Sequence, residues 1–360
     1  MKIKFIFAVP IISILLYLII SSSSCDNENP IIPPPPITPP DTVSRFIWNK
    51  IHVGGPIRDI YVADTNDIYI DKGTACQHFD GNSFYYINFQ EPNFGLESIS
   101  GYDKNNIFFM GTTILNGSEK IGKLKKYSNG IITTFILDTS KGGNYVMEVI
   151  GPNQVWISLT NNYVIFFNDG NFTKYILEAN PRIIEPILFN NKNNILYAFP
   201  IKNILDSFEI HTLKFNGMGF DLLKTDCLNW QNPVCLTQNM LRCGDDLIMT
   251  KIYSENKLYY FNGNNWIYHS QFDSTNTSAY KIGGWSKDSL IAMCLPRNGI
   301  YTYNGKKWRY ENGSPILNPP GPPLVSNIRI KYDKVFLHYF DGINTNDTYL
   351  IIGKPNKNIR

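Results

Sequence analysis

Five histidines, six cysteines and 30 carboxylates are the side chains here that could move protons, attack carbonyls or hold metals. Such chemistry needs them at set spacings, and those spacings are missing. There is no G-x-S-x-G elbow, no H-E-x-x-H and no phosphate-binding loop. Neither C-x-x-C nor His-x₃-His occurs, so no metal site is expected. "NGMGF" contains Gly-x-Gly, but it reads as a hairpin turn rather than the start of a helix. His52, His78, His211, His269 and His338 fall mostly in strand-like runs and read as structural polar groups. Asp80 and Asp341 occupy positions that Asn216, Asn262 and Asn304 fill in similar stretches, which assigns them to turns rather than to acid–base work. No catalytic residue is nominated, and no cofactor is expected.

One cysteine sits in a different context. "MKIKFIFAVPIISILLYLIISSSSC" carries Lys2 and Lys4, an apolar run from Phe5 to Ile20, four serines and then Cys25. A charged start, a short apolar core and small residues before a cleavage point make a secretory signal. The competing reading is an uncleaved signal anchor, although the run falls short of the ~20 residues that span a bilayer. Ser23, Ser24 and Cys25 resemble the lipobox of bacterial lipoproteins, with Ser22 standing where such boxes usually carry an aliphatic residue. That resemblance implies that residues 1–24 are removed and that the Cys25 thiol receives the lipid. "DNENPIIPPPPITPPDT" follows, and its prolines favour a stiff, extended segment over 26–42. Residues 25–42 thus read as a lipidated tether, and 43–360 as the folded domain. Of the remaining cysteines, Cys227 and Cys235 bracket a loop containing Pro233 and can bridge. The odd total leaves at least one of Cys76, Cys227, Cys235, Cys243 and Cys294 as a thiol.

The domain repeats itself. "HFDGNSF", "KYSNGII", "FFNDGNF", "KFNGMGF", "YFNGNNW", "TYNGKKW" and "YFDGINT" place a glycine at Gly81, Gly130, Gly170, Gly217, Gly263, Gly305 and Gly342, a mean period of about 43 residues. Before each stands a polar turn and an apolar strand, as in "TNDIYI" (65–70), "NQVWIS" (153–158) and "DKVFLHY" (333–339). Runs rich in β-branched and aromatic residues between Asn/Asp/Gly turns are strands. Asn-Gly suits a tight hairpin in which both turn residues take φ > 0. Each repeat is therefore expected to be four antiparallel strands, with the Asn/Asp-Gly hairpin joining the third to the fourth. Seven repeats predict an all-β, seven-bladed β-propeller. "RFIWNKIHV" (45–53) precedes the first repeat, and Trp48 resembles Trp266 and Trp308 at the start of fourth strands. It is expected to be the outer strand of the last blade and to close the ring. "NDTYLII" then reads either as an extended third strand or as a rival fourth strand.

The repeat over 45–355 resembles those of bacterial surface lipoproteins and periplasmic sensor propellers, although the glycine pair usual between second and third strands is mostly missing. Lys+Arg 33 against Asp+Glu 30 gives no basic excess, which argues against nucleic acid as a partner. The expected function is that of a lipid-anchored binding or scaffold module of the bacterial cell envelope. It would be a monomer that docks a protein or glycan on the face carrying its longer loops. Those are 112–122, 200–207, 225–234 and 313–324. Trp230 in the third of them is either a ligand contact or the packing of its own loop. The alternative is an enzyme acting on polysaccharide or peptide at the central channel, marked by carboxylates at its mouth.

Overall fold

A computed structural model describes residues 44–114, 120–137, 146–158, 163–177, 182–183, 195–198, 200–201, 207–229, 240–243, 246–251, 257–272, 278–295, 299–311, 324–340 and 347–357. These residues form strands and turns, with no helix among them. The chain enters through β1 (Phe46–His52). Sheet A follows as β2 (Asp59–Asp64), β3 (Asp67–Asp71), β4 (Cys76–Phe79) and β5 (Phe84–Ile87). Sheet B is β6 (Phe94–Asp103), β7 (Asn106–Ile114), β8 (Lys120–Ser128) and β9 (Ile131–Ile136). Sheet C is β10 (Val146–Gly151), β11 (Gln154–Ser158), β12 (Tyr163–Asn168) and β13 (Asn171–Ile176). In the middle region β14 (Arg182–Ile183) pairs with β16 (Pro200–Ile201), while β15 (Ile195–Ala198), β17 (Ser207–Phe215) and β18 (Phe220–Asn229) form a three-stranded sheet. Sheet D is β19 (Met240–Cys243), β20 (Asp246–Lys251), β21 (Lys257–Phe261) and β22 (Trp266–Gln271). Sheet E is β23 (Ser278–Ser286), β24 (Ser289–Leu295), β25 (Gly299–Tyr303) and β26 (Trp308–Tyr310). The chain ends in β27 (Leu324–Lys331), β28 (Lys334–Phe340) and β29 (Thr348–Pro355).

Sheets A to E each take their four strands in chain order, and every pairing is antiparallel. Sheet F does not. Its order is β1-β29-β28-β27, so the N-terminal strand pairs along its whole length with the C-terminal one, Phe46 opposite Pro355 and His52 opposite Tyr349. "NDTYLII" is thereby the third strand, and β1 supplies the fourth. Gly342 lies outside the described residues, between β28 and β29. Tyr339 and Phe340 of that "YFDG" end β28, the second strand of sheet F, so the motif does not follow a third strand as expected from its likeness to the other repeats.

Second strands are apolar because both of their faces are covered. Ile68, Phe108, Val155, Ile291 and Phe336 are all fully buried. Their side chains alternate between two neighbouring sheets, which gives a cluster at six junctions among the described residues. Tyr69 and Phe109 help join A to B, Phe108 and Ile157 B to C, and Trp156 and Leu213 C to the middle region. Ile248 and Leu290 join D to E, and Ile291 and Leu337 E to F. Phe336, Leu350 and Ile352 of sheet F pack on Ile60, Ile68 and Ile70 of sheet A, so the last sheet meets the first.

The hairpins between third and fourth strands come in two forms. Asn129-Gly130 and Asp169-Gly170 are two-residue turns with both residues in the left-handed region, as expected from Asn/Asp-Gly. At Asp80, Asn216, Asn262 and Asn304 only the following glycine has positive φ. There the side-chain oxygen accepts the N–H groups two and three residues on, at 2.8–3.2 Å. The interchange of Asp and Asn follows, since both present that oxygen. Just outside five of these six turns stands an aromatic cross-strand pair: Phe79–Phe84, Phe167–Phe172, Phe215–Phe220, Phe261–Trp266 and Tyr303–Trp308, with ring centroids 4.7–5.4 Å apart, and at Asn129-Gly130 Tyr127 faces Ile132. In sheet F the same register sets Trp48 opposite Gly353, and the indole occupies the space that a side chain on Gly353 would need. Trp48 therefore holds the position of Trp266 and Trp308.

Candidate functional site

Two ends of the sheets differ in chemistry. The end with the third-to-fourth hairpins is closed by tight turns. At the other end, where second strands turn into third strands and outer strands lead to the next sheet, polar groups gather over sheets F, A and B. Asp71, the last residue of β3, sits where sheets B and E have Met110 and Met293. It is fully buried, accepts the Gly73 N–H at 2.6 Å through Oδ1, and leaves Oδ2 without a partner. Burial pushes its carboxyl up to about 7, against the pull of the Gly73 N–H.

Around it the inner strands supply charge. Arg329 of β27 donates from Nη2 to Asp59 Oδ1 at 2.9 Å and from Nε to Ile60 O at 3.1 Å, tying sheet F to sheet A. Arg58 is exposed and lies over Gly73, whose lack of a side chain leaves room for the guanidinium. It reaches Leu96 O of sheet B at 3.5 Å. Glu97 of β6 accepts from Thr112 Oγ1 at 2.9 Å, while its other oxygen is buried and unpartnered; burial raises its carboxyl. Lys72 donates to Gly54 O and Gly55 O in the connection from β1 to β2, and burial lowers its amine to about 8. His338 of β28, on the same level as Asp71, is buried and pushed down to about 3 by burial and by Lys72.

A second knot joins sheets A and B. Glu91, in the connection from β5 to β6, receives Lys123, Thr113 and Lys125, the last at 2.9 Å. Burial opposes its ionisation, but these three donors win and hold the carboxyl down at about 2. Lys125 is itself buried, bonded also to Thr134 Oγ1 at 3.1 Å.

This sector is rigid and interlocked. Its exposed guanidinium and half-buried amine can receive an anionic or carbonyl group, whereas the spare oxygens of Asp71 and Glu97 face inward, away from any substrate. All five histidines lie in strands, as expected. His52, His78 and His269 each stand beside an aspartate, Asp347, Asp67 and Asp288, in three different sheets. Among the described residues no three metal-binding side chains converge.

Cys25, Trp230 and Cys235 lie outside the described residues, so the Cys227–Cys235 pair does too, although the backbone of Cys227 is in β18 opposite Glu209. Cys76 and Cys243 are buried thiols. The longer connections are narrower than the sequence suggests: β7 runs to Ile114, β8 starts at Lys120 and β18 runs to Asn229. Residues 115–119, 202–206, 230–234 and 313–323 of those loops are outside the described set. Sequence reading missed Asp71, Glu91 and Glu97. The available signal was a charged residue where the repeat elsewhere has an apolar or small one.

No protein-family model and no curated protein sequence matches the chain. Solved structures do. The structure titled YCF48 bound to D1 peptide superposes with a TM-score of 0.58 at 12% identity, covering 86% of this chain and 97% of that one. YCF48 from Cyanidioschyzon merolae gives 0.60 at 11%, over 85% and 98%. The β-propeller domain of the Trilobed protease from Pyrococcus furiosus, described as having an open velcro topology, gives 0.50 at 13%, over 73% and 84%. At such identities the likeness carries the fold alone. With the successive four-stranded antiparallel sheets, it shows that this chain is a β-propeller protein.

Proposed function

We propose that the chain is a lipid-anchored, extracytoplasmic protein-binding module of the bacterial cell envelope, built on a closed seven-bladed propeller. In this reading sheets A, B and C, the middle region and sheets D, E and F are the seven blades. The pairing of β1 with β29 supports the closure. The ring takes an extended segment of a partner protein on the face of the longer connections. The observation that carries this is the polar sector around Arg58 and Lys72, where backbone carbonyls of Leu96, Gly54 and Gly55 position an exposed guanidinium and a half-buried amine. A propeller of similar fold has been captured with a peptide, which supports a peptide over a glycan as the occupant.

Selection of a displayed peptide library on the full chain tests it. Peptides recovered should bind Arg58→Glu at least about ten-fold more weakly, as expected when a charge at a binding surface is reversed. Peptides that bind Arg58→Glu as well as they bind the natural chain would place the site elsewhere. The anchor is tested separately. Fatty-acid label should enter the full chain and be lost in Cys25→Ala, and label retained in that variant would overturn lipidation at Cys25.

A further inference from the structure

An outer strand in this architecture shows its free backbone edge to solvent, and proteins protect such edges with charge, bulges or shortness. Most outer strands here are protected. β1 carries Lys50, β13 Lys174, β26 Arg309, and β18 Asp221, Lys224 and Asp226. β22 is bulged at His269, and β5 has four residues. β9 has none of these devices. It is six residues of "IITTFI" with no charge, proline or bulge, and its Ile131 and Ile136 are 68% and 64% exposed. The comparison with β13 is direct: Thr134 lies opposite Lys125 as Lys174 lies opposite Ile165, so β9 has threonine where the next sheet has lysine.

The free groups of this edge are defined. The two-residue turn makes Ser128 and Ile131 a mutually hydrogen-bonded pair. Leu137 N–H bonding Gly122 O keeps the same odd-numbered phase. Ile132, Thr134 and Ile136 therefore turn their N–H and C=O groups away from β8. An antiparallel two-fold through Thr134 uses all of them. Thr134 then faces Thr134 of a second copy, and Ile132 faces Ile136 on both sides of the axis. Apolar meets apolar, and each Thr134 hydroxyl, which accepts from Lys125 of its own copy, keeps its O–H for the facing hydroxyl.

We propose that β9 is a self-association edge, joining two copies of this chain edge to edge in that register. The contact is one strand long, well below the ~1,200 Å² of stable interfaces, so the pair is weak and the chain alone in dilute solution is mainly monomeric. Covalent trapping reads it. Facing Cα atoms in such a pair lie ~5.5 Å apart, within disulfide range. The full chain with Thr134→Cys, incubated with oxidised glutathione, should give about ten-fold more disulfide-linked dimer than the natural chain or Lys174→Cys, as a defined register requires. Adding Ile136→Lys, which by symmetry introduces two charges per dimer, should return the yield to the control level while the circular dichroism stays unchanged. A yield from Thr134→Cys equal to that of Lys174→Cys, or one that Ile136→Lys leaves intact, overturns the proposal. So does an adduct to another protein in place of the dimer.

Discussion

Asp71 shows what one carboxylate does at a position that varies from repeat to repeat. Its counterparts in sheets B and E are methionines that fill the core, whereas the carboxylate in sheet A accepts the Gly73 N–H of the β3–β4 turn. The folded carboxyl keeps its proton to about 7, while the unfolded chain releases it near 3.8. The stabilisation is therefore complete below about pH 4 and fades as pH rises to 7, by up to about 4 kcal/mol. Asp71→Asn has no proton to lose. Urea melts between pH 5 and 8 should show the variant losing less stability than the natural chain as pH rises, with its advantage greatest at the alkaline end. Parallel pH profiles would contradict this account of Asp71. His338 works in the opposite sense, its contribution fading as pH falls from 6.5 towards 3. None of this was legible in the sequence. "IYIDKG" reads as a strand ending in a turn, and the packing of Arg58 and Leu96 over Gly73 next to the aspartate is contributed by other strands. The turn residues were legible, because Asp80 and Asn304 need only their own backbone to make their bonds.

Strands and hairpins were the readable scale, since a local pattern encodes each. An aromatic followed by Asn/Asp-Gly gave the third and fourth strands wherever the turn was described. The error at Gly342 arose because the same letters serve a different connection once a strand is supplied from elsewhere in the chain. The seam itself leaves a trace that the repeats make visible. The residue after an outer strand is apolar in sheets B, C and D, as Leu137, Leu177 and Phe272, and is buried there. After β26 it is Glu311, equally buried. Its Oε2 accepts the Arg45 N–H at 2.8 Å and the Ser44 hydroxyl at 3.3 Å, and its Oε1 accepts the Thr302 hydroxyl at 3.0 Å. Sheet E thus holds the chain as it enters β1. Burial raises the carboxyl against the Arg45 N–H. Glu311→Ala should cost about 2 kcal/mol by leaving buried donors unmet, while Glu311→Gln, which keeps an acceptor, should cost under about 1 kcal/mol. Equal thermal melts for the natural chain and Glu311→Ala would show that the seam does not depend on this clasp.

At the scale of the whole molecule, what matters is that the first strand belongs to the last sheet. Without β1, β29 would be an open edge and Phe46 would leave the cluster joining sheets E and F, exposing Ile291, Ile328 and Ile351. The likeness of Trp48 to Trp266 and Trp308 is matched by the register, which pairs β1 with β29 and sets Trp48 over Gly353. The polar sector could not be foretold, because it draws on β2, β3, β6, β7 and β27, and a single repeat contains only fragments of it. Ile47 and Lys354 are paired and exposed, which makes them the place to test closure. Ile47→Cys with Lys354→Cys in the full chain should form a disulfide under mild oxidation, identified by peptide mapping, and raise the melting temperature relative to the reduced form. If the two introduced thiols stay unlinked while the protein remains folded, the N-terminal strand does not close the ring.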